Sequence, residues 1–213
     1  MSVVDAMTIY EIARDRLQRS PFRAEIDWQA SVNPIEFTES DLLRECAWVI
    51  LCSGFRESVV RRAFPFISLC FCYWESSESI CRKSDYCRRT AVSAFGNKRK
   101  IQAILDVAAH IYNFGFCEFK NQILSEPLVS LQVLPFIGKV TATHVAKNLG
   151  FDVAKADRHL TRLASSAGFT SAQDLCAHIA KLSGDPIRVV DLILWRHIEQ
   201  SKSANSRLGA GLC

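Results

Sequence analysis

The chain has 213 residues, a formal net charge of +4 and 49% hydrophobic residues. That length suits one large or two small domains, and that hydrophobic share excludes a chain too polar to bury a core. The mild positive charge is compatible with nucleic acid, but many ordinary domains carry as much.

The first twenty residues, MSVVDAMTIYEIARDRLQRS, are charged and amphipathic and lack a secretory core. They predict a helix over about 5–19 that ends near Ser20-Pro21. NPIEFTESDLLRECAWVILCSGF reads as a loop, a cap at Thr38 or Ser40, and a buried helix that breaks at Ser53-Gly54. Its apolar part is too short to span a bilayer. RESVVRRAFPFISLCFCYW is a further helix, interrupted or kinked at Pro65. The polar, Ser- and Cys-rich residues 75–90 read as a loop or a loosely packed helical segment. NKRKIQAILDVAAHIYNFG predicts a helix capped by Asn97 and ended by Gly115, with Ile101, Ile104, Leu105, Ala108 and Ile111 on one face. EPLVSLQV is a short helix with Pro127 in its first turn. Three more helical runs follow: DRHLTRLASSAG, SAQDLCAHIAKLSG and PIRVVDLILWRHIEQ. No hairpin signals of β type and no internal repeats stand out.

The nine cysteines are an odd number at irregular spacing with no signal sequence, so free thiols in a reducing, cytoplasmic setting are expected. Cys70, Cys72, Cys81 and Cys87 follow C-x-C-x8-C-x5-C, which is not a zinc spacing. No metal, no cofactor and no membrane partner are expected.

Two features carry chemistry. Leu134-Pro135-Phe136-Ile137-Gly138 lies between two predicted helices, and Gly138 is read as the residue that takes a backbone conformation others resist. The helix that starts at Lys139 exposes its first N–H groups, which attract phosphate. Such a turn holds a nucleic-acid backbone without reading sequence; an ordinary αα-hairpin has the same form. Nineteen residues past Gly138, after the extended run FDVAKA, stands Asp157 at the start of a helix. An Asp there is an ordinary N-cap. The same carboxylate can stabilise the positive charge that builds on a sugar when its bond to a base breaks, and can orient water.

Together, Leu134, Pro135, Ile137, Gly138, Ala142, Asp157 and His159 resemble the helix-hairpin-helix DNA glycosylase superfamily. That family shows L-P-G-I-G, then Ala four residues past the last Gly and Asp about nineteen past it, followed by x-H/N. Gly138, Ala142, His144, Asn148 and Gly150 in GKVTATHVAKNLG are similar to the compact archaeal and bacterial oxidised-guanine branch, as are the helix VVDLILWRHIEQ and the stretch FGNKRKIQAILDVA. The likeness spreads over about residues 40–200, with its specific part in 134–159.

The resemblance implies an all-α fold of two helical subdomains with the active-site cleft between them. Residues 40–152 would form a six-helix subdomain holding the hairpin (about 126–148). Residues 1–39 with 153–200 would form the second, and 201–213 a disordered tail. It implies a monomer that acts on double-stranded DNA, associates with the nucleoid when bound, flips a nucleotide out of the duplex and uses Asp157 as the catalytic carboxylate. DNA-backbone contacts fall on Phe136, Ile137, Gly138, Lys139, Thr141 and Arg158, and a wedge or base pocket on Phe55, Arg56, His144 and Trp48. Arg61, Arg62, Lys98, Arg99, Lys100 and Lys147 are further candidate phosphate contacts.

The chain departs from the family in three places. Strand-cutting members carry a lysine two residues past the final hairpin Gly, which forms a Schiff base with the sugar. That position is Val140, and Lys139, one residue early, is turned by about 100°. A monofunctional enzyme with water as nucleophile is therefore expected. The first Gly of the family hairpin is Phe136. The iron–sulfur loop of the endonuclease III branch is missing, since only Cys176 and Cys213 lie beyond residue 160. The base stays open among oxidised guanine, alkylated purines and the bulky modified bases of phage DNA, the last implying a defence enzyme. A bifunctional oxidised-guanine glycosylase/lyase and a catalytically silent DNA-binding module remain as alternatives.

Overall fold

A computed structural model describes residues 3–155 and 157–209, and all regular structure among them is helical. The chain opens with α1 (Val3–Gln18) and α2 (Arg23–Ser31). Then come α3 (Glu39–Cys52), α4 (Glu57–Cys70), α5 (Ser77–Arg82), α6 (Ser84–Phe95), α7 (Lys98–Phe114), α8 (Phe116–Ser125), α9 (Pro127–Leu131) and α10 (Lys139–Asn148). A 3-10 turn at Cys72–Trp74 separates α4 from α5. The last helices are α11 (Arg158–Ser166), α12 (Ala172–Ser183) and α13 (Ile187–Gly209). No helix among the described residues is long and apolar enough to cross a membrane.

The chain divides into two compact units, one of Met1–Val32 with Asp152–Cys213 and one of Asn33–Phe151. The second unit holds α3 to α10, eight helices where the sequence reading expected six. The polar segment 75–90 accounts for part of the difference. It folds as α5 and the first part of α6, with the Ser76 hydroxyl accepting from the Ser79 N–H at 3.1 Å. Ser77, Ile80 and Cys87 are its buried positions, with only two apolar residues among them, too few to stand out among Ser, Arg and Glu. Helix α8 begins directly after Gly115, which ends α7 with φ +91°, and buries Phe119 and Ile123.

A local signal sets the start of α3. Thr38 caps α3: its hydroxyl accepts from the Asp41 N–H at 3.2 Å, and the Asp41 carboxylate accepts from the Thr38 N–H at 2.9 Å. Burial opposes ionisation of Asp41, but the Thr38 hydroxyl and N–H and the Arg44 guanidinium outweigh it, holding the carboxyl below its ordinary 3.8. Thr38→Ala should cost about 1 kcal/mol in denaturant unfolding. A depressed carboxyl contributes stability above its unfolded value and loses it as pH falls through the folded one. The gap between the two proteins should therefore narrow below pH 3.8. Helix α4 runs through Pro65 without the expected interruption, at the loss of one backbone hydrogen bond.

In the first unit, Tyr10 and Leu17 of α1 join Leu160, Leu175, Ile179, Val190 and Ile193 in one buried cluster. The Arg196 guanidinium lies over the Phe22 ring at 4.6 Å and makes two 2.8 Å bonds to Glu25, joining α13 to α2. Helix α13 continues to Gly209, across part of the stretch 201–213 expected as a tail. No Gly or Pro interrupts the run SKSANSRL. Residues 210–213 lie outside the described residues.

Candidate functional site

The hairpin turn joins α9 to α10. Leu134 and Ile137 are buried and anchor it, while Gly138, Lys139 and Val140 are exposed. The Thr141 hydroxyl accepts from the Gly138 N–H at 2.7 Å and donates to the Gly138 carbonyl at 3.0 Å, so Thr141 closes the turn. The N–H groups of Lys139 and Val140 have no acceptor among the described residues and open outward, the arrangement that suits a phosphate.

The special backbone conformation does not fall where the sequence reading placed it. Gly138 has φ −100°, which any residue adopts, whereas Phe136 has φ +69°. A bulky residue in this region is strained by about 1–2 kcal/mol. Its ring is held by two cations, with the Arg99 guanidinium 5.6 Å and the Lys100 ammonium 5.1 Å from its centroid. Phe136→Gly removes the strain together with contacts of about 0.5–1 kcal/mol each, so it should stay within about 1 kcal/mol of wild type. Phe136→Val keeps the strain and loses the ring, and should unfold at a lower temperature than both. A valine variant as stable as the glycine variant would contradict this account.

Lys100 is buried, not the surface phosphate contact expected of it. Its ammonium donates to the carbonyls of Ile50, Leu51 at 3.3 Å and Ser53 at 2.6 Å, at the carboxyl end of α3, where a helix attracts positive charge. Burial lowers its pKa below the ordinary lysine value, and Cys52 pulls weakly the other way. The same ammonium lies 5.4 Å from the Phe55 ring. Lys100 therefore joins the α3–α4 turn, which carries Phe55, to the hairpin turn, which carries Phe136. On the far side of α10, Asn148 donates to the buried Glu45 carboxylate at 2.9 Å and fixes this helix to α3. Burial raises the Glu45 carboxyl above its ordinary value, against the opposing pull of Arg44 and Asn148.

Asp157, in the other unit, is the N-cap of α11. Its Oδ1 accepts from the N–H groups of His159 at 2.8 Å and Leu160 at 3.0 Å. Leu160 is fully buried, so the cap is tied to the core. Oδ2 has no donor among the described residues. One oxygen thus holds the start of the helix and fixes the side chain, and capping leaves the other oxygen unused. The exposed Arg158 turns its guanidinium Nε toward His159 Nε2 at 3.3 Å.

No family model and no curated protein matches the chain. Solved structures do. The 8-oxoguanine DNA glycosylase of Thermotoga maritima superposes with a TM-score of 0.57 over 88% of this chain and 95% of its own, at 18% identity. The 8-oxoguanine glycosylase/lyase of Methanocaldococcus jannaschii, solved with a 15mer DNA containing 8-oxoguanine, gives 0.57 over 89% and 95%, at 16% identity. The chain has the fold of these glycosylases.

Within this glycosylase fold the expected site residues fall into separate groups. Phe55 and Phe136 meet at Lys100. Phe55 is 40% exposed and also packs on Phe95, with ring centroids 5.2 Å apart. Arg56 is exposed at the N-cap of α4. Trp48 belongs elsewhere, half-buried against Phe64 at 5.1 Å with the Arg61 guanidinium over its ring at 5.5 Å. His144 is half-buried on α10. Lys147 is buried, so it too is not a surface phosphate contact. Asp191 and Gln173, which the sequence reading did not single out, hold the connection that leads into Asp157.

Proposed function

We propose that this protein is a DNA glycosylase that hydrolyses the N-glycosidic bond of a modified base extruded from duplex DNA. The observation that carries this reading is Asp157, whose carboxylate is pinned through Oδ1 and presents Oδ2. The likeness in fold to glycosylases that act on 8-oxoguanine supports it and makes oxidised guanine the first substrate to try.

In the proposed reaction the base leaves with the bonding electrons and positive charge builds at the sugar C1′. The Asp157 carboxylate stabilises that charge and orients a water, which adds to C1′ and gives up a proton, while the base gains one. An abasic site remains. The hairpin holds the backbone through the open N–H groups of Lys139 and Val140, with Lys139 and Arg158 adding positive charge.

Val140 carries no amine, so the reaction stops at the abasic site. With duplex DNA bearing 8-oxoguanine, strand breaks should appear only after hot alkali. Borohydride should trap no covalent adduct. Direct strand breakage, or an adduct lost in Lys139→Ala, would overturn the monofunctional reading and favour a lyase.

A further inference from the structure

Asp191 is a single carboxylate inside the apolar run VVDLILW, and it is 1% exposed. Burying a carboxylate is costly unless its oxygens find donors. Here Oδ1 accepts from the N–H of Lys155 at 2.8 Å, 36 residues earlier in the chain. The carbonyl of that same residue accepts from the N–H of Asp157 at 2.7 Å. One residue is thus bonded on both sides, to the core carboxylate through its N–H and to the proposed catalytic residue through its C=O.

The neighbouring bonds restrain the same segment. Gln173 Oε1 of α12 accepts from the Ala154 N–H at 2.7 Å. The Arg188 N–H of α13 donates to Asp152 Oδ1 at 3.1 Å. Three backbone or side-chain points between 152 and 155 are therefore fixed to α12 and α13, and the chain enters α11 from a fixed position. Without these bonds the segment is an extended connection with no secondary structure of its own.

We infer that Asp191 is a positioning residue that sets the Asp157 carboxylate through the backbone of Lys155. The inference rests on the proposed role of Asp157. A displacement on the order of 1 Å costs about 100-fold in rate when the reacting groups must be aligned. Loss of the Asp191 acceptor should therefore slow the chemical step without touching the DNA-binding surface.

The test compares wild type, Asp191→Leu, Asp191→Asn and Asp157→Asn in single-turnover base release from duplex DNA bearing 8-oxoguanine, with DNA affinity and amide exchange measured in parallel. Asp191→Leu should release base about 10–100-fold more slowly at saturating enzyme, with DNA Kd within about twofold. The amides of Lys155 and Asp157 should exchange faster in it. Asp191→Asn keeps an acceptor oxygen and should recover to within several-fold of wild type. Asp191→Leu at the wild-type rate, or with unchanged exchange at Lys155, overturns the inference. So does an asparagine variant as slow as the leucine one, since the charge rather than the hydrogen bond would then matter. Should the leucine variant fold poorly, the asparagine variant and its exchange at Lys155 decide. If Asp157→Asn itself releases base like wild type, the reading of Asp157 fails, and that result is visible before any Asp191 variant is compared.

Discussion

Asp157→Asn should lower base release by about 10²–10⁴-fold while DNA affinity stays within a few-fold of wild type. The substitution separates the two tasks of this side chain. Asparagine is among the best N-cap residues, and its carbonyl oxygen can accept the same bonds from His159 and Leu160. Helix α11 therefore keeps its start and Leu160 its buried place, so a change in stability should be small. What disappears is the negative charge that would face a developing positive charge on the sugar. Single-turnover release beside a binding titration reads the two separately. A variant that releases base at the wild-type rate would leave Asp157 as a cap alone. A variant that loses binding and release together would show that the substitution had disturbed the fold.

Phe119→Ala should destabilise the protein by about 3–5 kcal/mol, the largest loss expected from any single truncation considered. Phe119 is fully buried and meets His110 and Phe114 edge-on, with centroids 5.2 Å and 5.8 Å away. Alanine leaves a cavity beneath the His110 and Phe114 rings of α7, which cannot close without moving that helix. For a chain of this size the loss corresponds to a fall of roughly 6–20 °C in Tm. The effect should reach the hairpin as well. Phe119 sits in α8, and α9 is fastened to α8 by the Ser130 hydroxyl, which donates to the Gln122 carbonyl at 2.9 Å. Weaker DNA binding should therefore accompany the lower Tm. A fall of less than about 1 kcal/mol would mean that the site collapses around the missing ring.

The strong elements were legible because each carries its own boundary chemistry. Thr38, Asn97 and Gly115 mark helix ends by side-chain caps or by a positive φ, and the structure uses each of them there. The segment 75–90 was not legible, because its buried residues are few and its surface is mostly polar and charged. The hairpin was legible as a turn but not in its detail. Pattern alone assigned the special conformation to Gly138, while it falls on Phe136, which two cations hold in place. Neither cation's role can be read from charge.

Lys100 shows why. In the run KRK, net charge does not say which side chain turns inward. Spacing does carry a signal: Lys100 precedes Ile104 by four and so lies on the apolar face of α7. Asp191 gave a similar signal, a lone carboxylate in an apolar helix, which demands a partner. Which partner it finds depends on a chain segment 36 residues away, and one-dimensional periodicity has no access to that. The N-cap at Asp157 was legible from its place at a helix start, whereas the chemistry proposed for it rests on its register with the hairpin.

The most direct measurement is mass spectrometry of free bases released from a panel of oxidised, alkylated, deaminated and phage-modified duplex DNAs, with wild type beside Asp157→Asn. The account predicts one class of modified base set free by wild type, with intact abasic strands left behind, and none by the variant. Equal DNA binding by both proteins with no base released from any duplex would contradict it and leave a hairpin module that only holds DNA.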